Sequence, residues 1–113
     1  MDNRDRSCVV RLADARAQIP GPAGEHFARV LERGSLRLLL SLPVRPNQQN
    51  PHAQDELYVI MQGKGVLFHD GKRDRFGPGD AMFVAAGTEH HFEDFTDDLA
   101  VWFVFYWPLG GKI

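Results

Sequence analysis

Asn50-Pro51-His52-Ala53-Gln54-Asp55-Glu56 runs directly into Leu57-Tyr58-Val59-Ile60-Met61. A histidine and a carboxylate stand four residues apart, and an apolar run rich in strand-forming residues follows at once. A helix would place His52 and Glu56 on one face, but Tyr, Val and Ile favour strands, and Pro51 disfavours helical geometry at the residue before it. In one unbroken strand the two would share a face roughly 13 Å apart at about 3.3 Å per residue, too far to hold one ion. If they act together, the chain must turn at Ala53-Gln54-Asp55. Asn50 and His52 then close one strand on a common face, and Glu56 opens the next.

Working outward, glycine and proline cut the chain into short pieces. Gln62-Gly63-Lys64-Gly65 is a glycine turn, and Val66–His69 reads as a strand. Asp70-Gly71 suits a type I′ hairpin turn, after which Lys72–Phe76 returns as a polar edge strand. Gly77-Pro78-Gly79-Asp80 turns again, Ala81–Val84 is expected as a short buried strand, and Ala85-Ala86-Gly87-Thr88 is a further turn. His90–Phe95 alternates after its first residue. Thr96-Asp97-Asp98 turns, and Leu99–Trp107 forms the last long strand. On the N-terminal side, Phe27–Glu32 and Leu36–Leu42 read as a hairpin around Arg33-Gly34-Ser35, and Pro43-Val44-Arg45-Pro46-Asn47 as a loop. Ile19–Gly24 is a breaker cluster. Leu12–Gln18 has helical propensity for one or two turns at most. Cys8–Leu12 is a candidate edge strand, with Cys8 a packing residue, and residues 1–7 are polar and expected to be mobile. Eight to ten short strands between turns predict an all-β sandwich or barrel.

The 113 residues fit one domain with one modest core. Net charge is −2 with histidines neutral, which gives no electrostatic footprint for nucleic acid. No apolar run approaches the ~20 residues of a membrane helix, so no membrane contact is expected. The charged start, Met1-Asp2-Asn3-Arg4-Asp5-Arg6, lacks the apolar core of a signal peptide and points to a cytoplasmic protein. Cys8 is the one cysteine, which excludes an intrachain disulfide and a cysteine-based zinc site.

Five histidines are candidates: His26, His52, His69, His90 and His91. His26 has no partner in sequence, and His69 abuts a hairpin tip, so both are expected to be structural or surface residues. On a strand His90 and His91 point to opposite faces, so only one of them faces an interior. His52 with Glu56 alone could equally be a surface ion pair.

The spacing of the glycines raises the metal reading, because the chain resembles the cupins, small jelly-roll β-barrels. The first cupin motif reads His-x-His, three or four residues, Glu, six residues, Gly. Asn50-Pro51-His52, three residues, Glu56, six residues and Gly63 match it except at the first histidine. The second reads Gly, five residues, Pro-x-Gly, two residues, His, three residues, Asn. Gly79, five residues, Ala85-Ala86-Gly87, two residues, His90, three residues and Asp94 match it with Ala for Pro and Asp for Asn. The resemblance covers about residues 35–107 and implies a single-domain, all-β jelly-roll barrel of about eight to ten antiparallel strands.

The resemblance also implies a metal site. His52, Glu56 and His90 occupy three ligand positions, and Asn50 the fourth. Two histidines and a carboxylate can form a facial triad with open positions for one divalent transition metal ion, Fe, Mn, Ni, Co or Zn. Asn50 offers a neutral amide, a poorer ligand than imidazole. The inward face of the strand after Glu56 carries Tyr58 and Ile60, and with Phe92 these are the expected contacts of a small, partly apolar organic ligand. Oxygenase, isomerase or lyase chemistry fits such a centre; a non-catalytic sensor or binding module and a metal-free barrel are the rivals. Tyr58 is the first acid–base candidate. The outward residues Leu57, Val59, Met61, Trp102, Val104 and Tyr106 are apolar too, which predicts a sheet-to-sheet homodimer.

Overall fold

The computed structural model describes residues 6–47, 49 and 51–106. Asn50, the proposed fourth ligand, lies outside these residues, as do Trp107 and residues 1–5 of the expected mobile start. Among the described residues one short helix, α1 (Leu12–Arg16), precedes eight strands: β1 (Phe27–Arg33), β2 (Leu36–Ser41), β3 (Asp55–Gln62), β4 (Gly65–His69), β5 (Lys72–Phe76), β6 (Ala81–Val84), β7 (His90–Glu93) and β8 (Ala100–Tyr106). They form two antiparallel sheets, ordered β1-β2-β8-β3-β6 and β5-β4-β7. This is the expected all-β jelly-roll arrangement.

The core lies between the sheets. Glu56, Tyr58 and Ile60 are the buried face of β3, and Tyr58 and Ile60 pack with Leu67, Phe76, Phe92, Phe95, Leu99 and Val101. Burying each large apolar side chain contributes roughly 1.5–3 kcal/mol, so period-two alternation in β3, β4 and β7 is enough to choose which face turns inward. The hairpin at Asp70-Gly71 is of the expected kind: φ is 48° and 76° at the two residues, the positive pair that a type I′ turn requires. Gly63 has a different reason to be glycine. A Cβ there would stand 2.8 Å from the Leu99 Cα and 2.7 Å from the Thr96 Oγ1, so the β3–β4 turn closes against the Thr96–Leu99 turn.

Several expectations are corrected. Cys8–Leu12 is not an edge strand: residues 8–11 are irregular, and Leu12 opens α1. Among the described residues no strand pairs with the segment, whereas Asp14 in the first turn and Arg16 in the last suit the helix dipole. Cys8 is exposed and packs into no core. Ala81–Val84 is a strand but not a buried one. As β6 it edges the larger sheet, and Phe83 is 52% exposed while Val84 alone is buried.

The larger sheet is apolar on its outer face as well. α1 packs on β1 and β2 and seals one end, where Ala15, Ala28 and Leu40 are buried. Leu57, Val59, Trp102 and Val104 stay half-buried, and Met61 and Phe83 are exposed. Among the described residues no helix is long and apolar enough to cross a membrane.

Candidate metal centre

The chain does turn between His52 and Glu56, but His52 does not end a strand. Residues 51 and 52 are irregular, Ala53-Gln54 bend, and Glu56 is the second residue of β3. Two hydrogen bonds fix this bend to the turn that precedes β7. The Gly87 N–H donates to the His52 carbonyl at 2.8 Å, and the Ala86 N–H donates to Asp55 Oδ1 at 2.9 Å. Thus the segment carrying His52 is tied to the segment carrying His90, almost forty residues later.

The result is one cluster. Ligand atoms of His52, Glu56 and His90 lie within 4.8 Å of one another. Nε2 of His90 is 3.2 Å and Nε2 of His52 is 3.6 Å from Glu56 Oε1. Glu56 and His90 are each 1% exposed. His90 Nδ1 lies 2.7 Å from the Thr88 carbonyl oxygen, which can only accept, so the neutral ring carries its proton on Nδ1. That leaves the Nε2 lone pair aimed at the cluster. Among the described residues, His90 Nε2 and Glu56 Oε2 are buried without an aligned hydrogen-bond partner. Two buried orphan atoms would cost stability unless something satisfies them. A carboxylate and two imidazoles are a donor set that fits a divalent transition metal, so this group fits the ion that the resemblance implies.

The two histidines are tuned differently. Burial and, more weakly, the His90 and Arg37 charges lower the His52 pKa, against the pull of Glu56. Burial also opposes charge on His90, but the Glu56 carboxylate and the Thr88 carbonyl outweigh it and raise its pKa. A second proton on His90 would occupy Nε2, the position a metal would take.

Tyr58 supports the carboxylate. Its hydroxyl is 2.8 Å from Glu56 Oε1 and 3.2 Å from Gln49 Oε1, and its one proton goes to the shorter, charged contact. Burial first, and Glu56 second, push its pKa far up. It is therefore a fixed donor and unsuited to shuttling a proton. Tyr58, Ile60 and Phe92, the expected ligand contacts, are almost fully buried in the core.

A cavity of about 440 Å³ opens beside the cluster. The described residues lining it are Phe27, Arg29, Arg37, Leu39, Ser41, Gln49, His52, Phe103 and Phe105. Of the three clustered side chains, His52 alone reaches this wall. Sequence reasoning missed the β2 and β8 residues. Alternation separates Arg37, Leu39 and Ser41 from the wholly apolar Leu36, Leu38 and Leu40, so apolarity alone would turn the wrong set toward the cavity. The pairing Leu39↔Phe103 and Arg37↔Phe105 decides which set faces inward.

Residues 43–106 match the model of the cupin domain. The chain belongs to the cupin family. An uncharacterized protein of Streptomyces coelicolor is 29% identical to it over 99 residues, 87% of this chain and 94% of that protein. Fe(II) HppE in complex with substrate resembles this cupin with a TM-score of 0.60 at 20% identity, over 71% of this chain and 52% of that one. This cupin thus spans about half the length of that protein. The cupin domain of Schizosaccharomyces pombe Cnp3 gives a TM-score of 0.64 at 13% identity, over 73% and 64% of the two chains. These structural likenesses show the fold.

Proposed function

We propose that this cupin binds one divalent transition metal ion, Fe, Mn, Ni, Co or Zn, through His52, Glu56 and His90, and takes a small organic ligand in the adjoining cavity. One observation carries the reading: two buried atoms, His90 Nε2 and Glu56 Oε2, lack an aligned hydrogen-bond partner among the described residues, in a cluster whose third member, His52, reaches the cavity wall. A divalent ion bound there supplies Lewis acidity and open coordination positions. Glu56 and the histidines act as ligands, and Tyr58 holds Glu56 in place. Asn50 stands where the family has a further ligand and is the fourth candidate. Oxygenase, isomerase and lyase reactions all suit this arrangement, and HppE is a protein of the same fold that holds Fe(II) and a substrate together.

Metal analysis of the untagged protein tests the site. About one ion per chain in the wild type, lost in His52→Ala and in His90→Ala, supports it; unchanged metal content in both variants sinks it.

A non-catalytic binding protein is the second reading. It is favoured by the cavity wall, whose described lining offers His52 and two arginines as its ionisable side chains and no carboxyl or thiol group. Turnover of candidate substrates with Fe(II) and oxygen, against a Glu56→Ala control, separates the two. We also infer a homodimer joined through the apolar outer face of the larger sheet, where Leu57, Val59, Trp102 and Val104 lack full cover. A monomer in sedimentation at micromolar concentration would contradict it.

A further inference from the structure

We propose that the cavity selects an organic carboxylate: a small monoanion with a flat or apolar body, whose charged end meets Arg37 and whose other end faces the His52–Glu56–His90 cluster. The cluster's role as a metal site is the reading given above, and the Arg37 contact rests on separate observations.

Strand register sets the layout. Arg37 of β2 pairs with Phe105 of β8, and Phe105 pairs with Glu56 of β3. One row across the sheet therefore reads cation, aromatic ring, metal-binding carboxylate. Neighbouring strands are roughly 4.8 Å apart, so the backbone at Arg37 and at Glu56 is separated by about 10 Å. A ligand lying along this row has to be short. The row beside it, Arg29, Leu39 and Phe103, supplies more apolar wall. The body of the ligand thus meets Phe105, Phe103 and Leu39, and Ser41 and Gln49 are the neutral polar groups on the same wall.

Charge identifies the other end. Arg29 also reaches the cavity, but its guanidinium is paired with Glu32 at 2.9 Å. Among the described residues no carboxylate pairs with Arg37. Its guanidinium carbon stands 4.6 Å from the centre of the Phe105 ring, and Nη2 donates to Gln54 Oε1 at 2.8 Å, while Gln54 in turn donates to the Ser35 carbonyl. A guanidinium has five N–H donors, and a planar fork matches a carboxylate. The ring and Gln54 hold the fork in place beforehand, which lowers the cost of ordering it around an anion. One uncompensated cation calls for one negative charge, which favours a carboxylate over a phosphate dianion.

The test uses the full chain, with and without added Co(II), and three probes: benzoate, its neutral relative benzamide, and phenyl phosphate. Binding is followed by amide chemical shifts in ¹H–¹⁵N spectra. Benzoate is expected to bind about tenfold or more tightly than benzamide, with shifts at Leu39, Phe103 and Phe105. Arg37→Met keeps the stem over Phe105 and should erase that preference by weakening benzoate far more than benzamide; Arg37→Lys should restore part of it. Equal binding of benzoate and benzamide by the wild type overturns the proposal, and so does tighter binding of phenyl phosphate than of benzoate. A preference for benzoate that survives in Arg37→Met overturns the assignment to Arg37. If Co(II) fails to bind, the metal reading fails, but the benzoate preference in the metal-free protein still decides this one.

Discussion

His90 and His52 would serve the same ion, yet the fold holds them in opposite ways. His90 sits on a strand, is 1% exposed, and has its Nδ1 locked to the Thr88 carbonyl. His52 sits on a bend at the cavity wall, and its ring rests edge-on against Phe105 with 5.0 Å between centres. One ligand is built into the core, and the other hangs from a loop that is tied back to the β6–β7 turn. The difference teaches that spacing alone does not say how a ligand is supported. The buried histidine shares a closed environment with Glu56, whereas the other is placed to meet whatever enters the cavity.

Removing each histidine gives the largest expected effect. Both alanine variants lose bound metal, but their metal-free stabilities should diverge. His90→Ala removes the buried imidazole 3.2 Å from the Glu56 carboxylate, leaves a cavity beside that carboxylate, and should cost about 3 kcal/mol. His52→Ala removes a partly exposed ring and should cost under about 1 kcal/mol. Urea unfolding of the metal-free variants checks this, and equal losses would break the contrast. Tyr58→Phe comes next. It removes the donor that orients Glu56, and metal affinity should fall about tenfold to a hundredfold with the same ligands in place. Calorimetric titration with Co(II) or Ni(II) reads that change; an unaltered affinity would mean that the hydroxyl serves only the core.

Much of this was legible in the sequence. Six residues between Glu56 and Gly63, and five between Gly79 and Ala85, carried the family resemblance and with it the triad. The Asp70-Gly71 hairpin and the inward face of β3 followed from turn chemistry and period two. What could not be read depended on long-range pairing. In Leu36–Ser41 the more apolar face is Leu36, Leu38 and Leu40, so the inward position of Arg37 and Leu39 emerges only from register with β8. Phe83 looks like a core residue until β6 is known to be an edge strand. Cys8–Leu12 has strand-forming residues but no strand among the described residues to pair with, and the chain takes a helical turn from Leu12 instead. Tyr58 was found, but as an acid–base candidate. Its burial and its bond to Glu56 make it a fixed donor.

Two glycines sharpen the comparison of loop and strand at a smaller scale. Gly63 and Gly87 both have positive φ, 84° and 79°. A Cβ at Gly63 would meet the Leu99 backbone, so Gly63→Ala combines strain with a clash and should cost about 3 kcal/mol of stability. A Cβ at Gly87 would meet nothing within 4 Å, so Gly87→Ala carries the conformational strain of about 1 kcal/mol alone. Its N–H, however, holds the His52 carbonyl. Metal affinity should therefore weaken in Gly87→Ala and stay nearly unchanged in folded Gly63→Ala. Paired thermal melts and metal titrations test the split, and a reversed order would show that the His52 bend is held by other contacts.

The smallest expected effect is a difference in sign. In the metal-free protein His90 should titrate above the ordinary histidine value of about 6.5 and His52 below it. The folded state binds a proton at His90 more tightly than the unfolded chain does. Its contribution to stability is therefore fully present below about pH 6.5 and is lost as pH rises through the higher folded pKa of His90. His52 behaves oppositely. Its neutral form is favoured on folding, so its contribution is present above about pH 6.5 and is lost as pH falls through its lowered folded pKa. In His52→Ala the pH dependence that remains from this pair should fall with rising pH, and in His90→Ala it should rise. Imidazole ¹⁵N shifts followed over pH give the two titrations directly. If both rings titrate on the same side of 6.5, the core and the loop do not tune their histidines separately, and the contrast drawn between them fails at its electrostatic root.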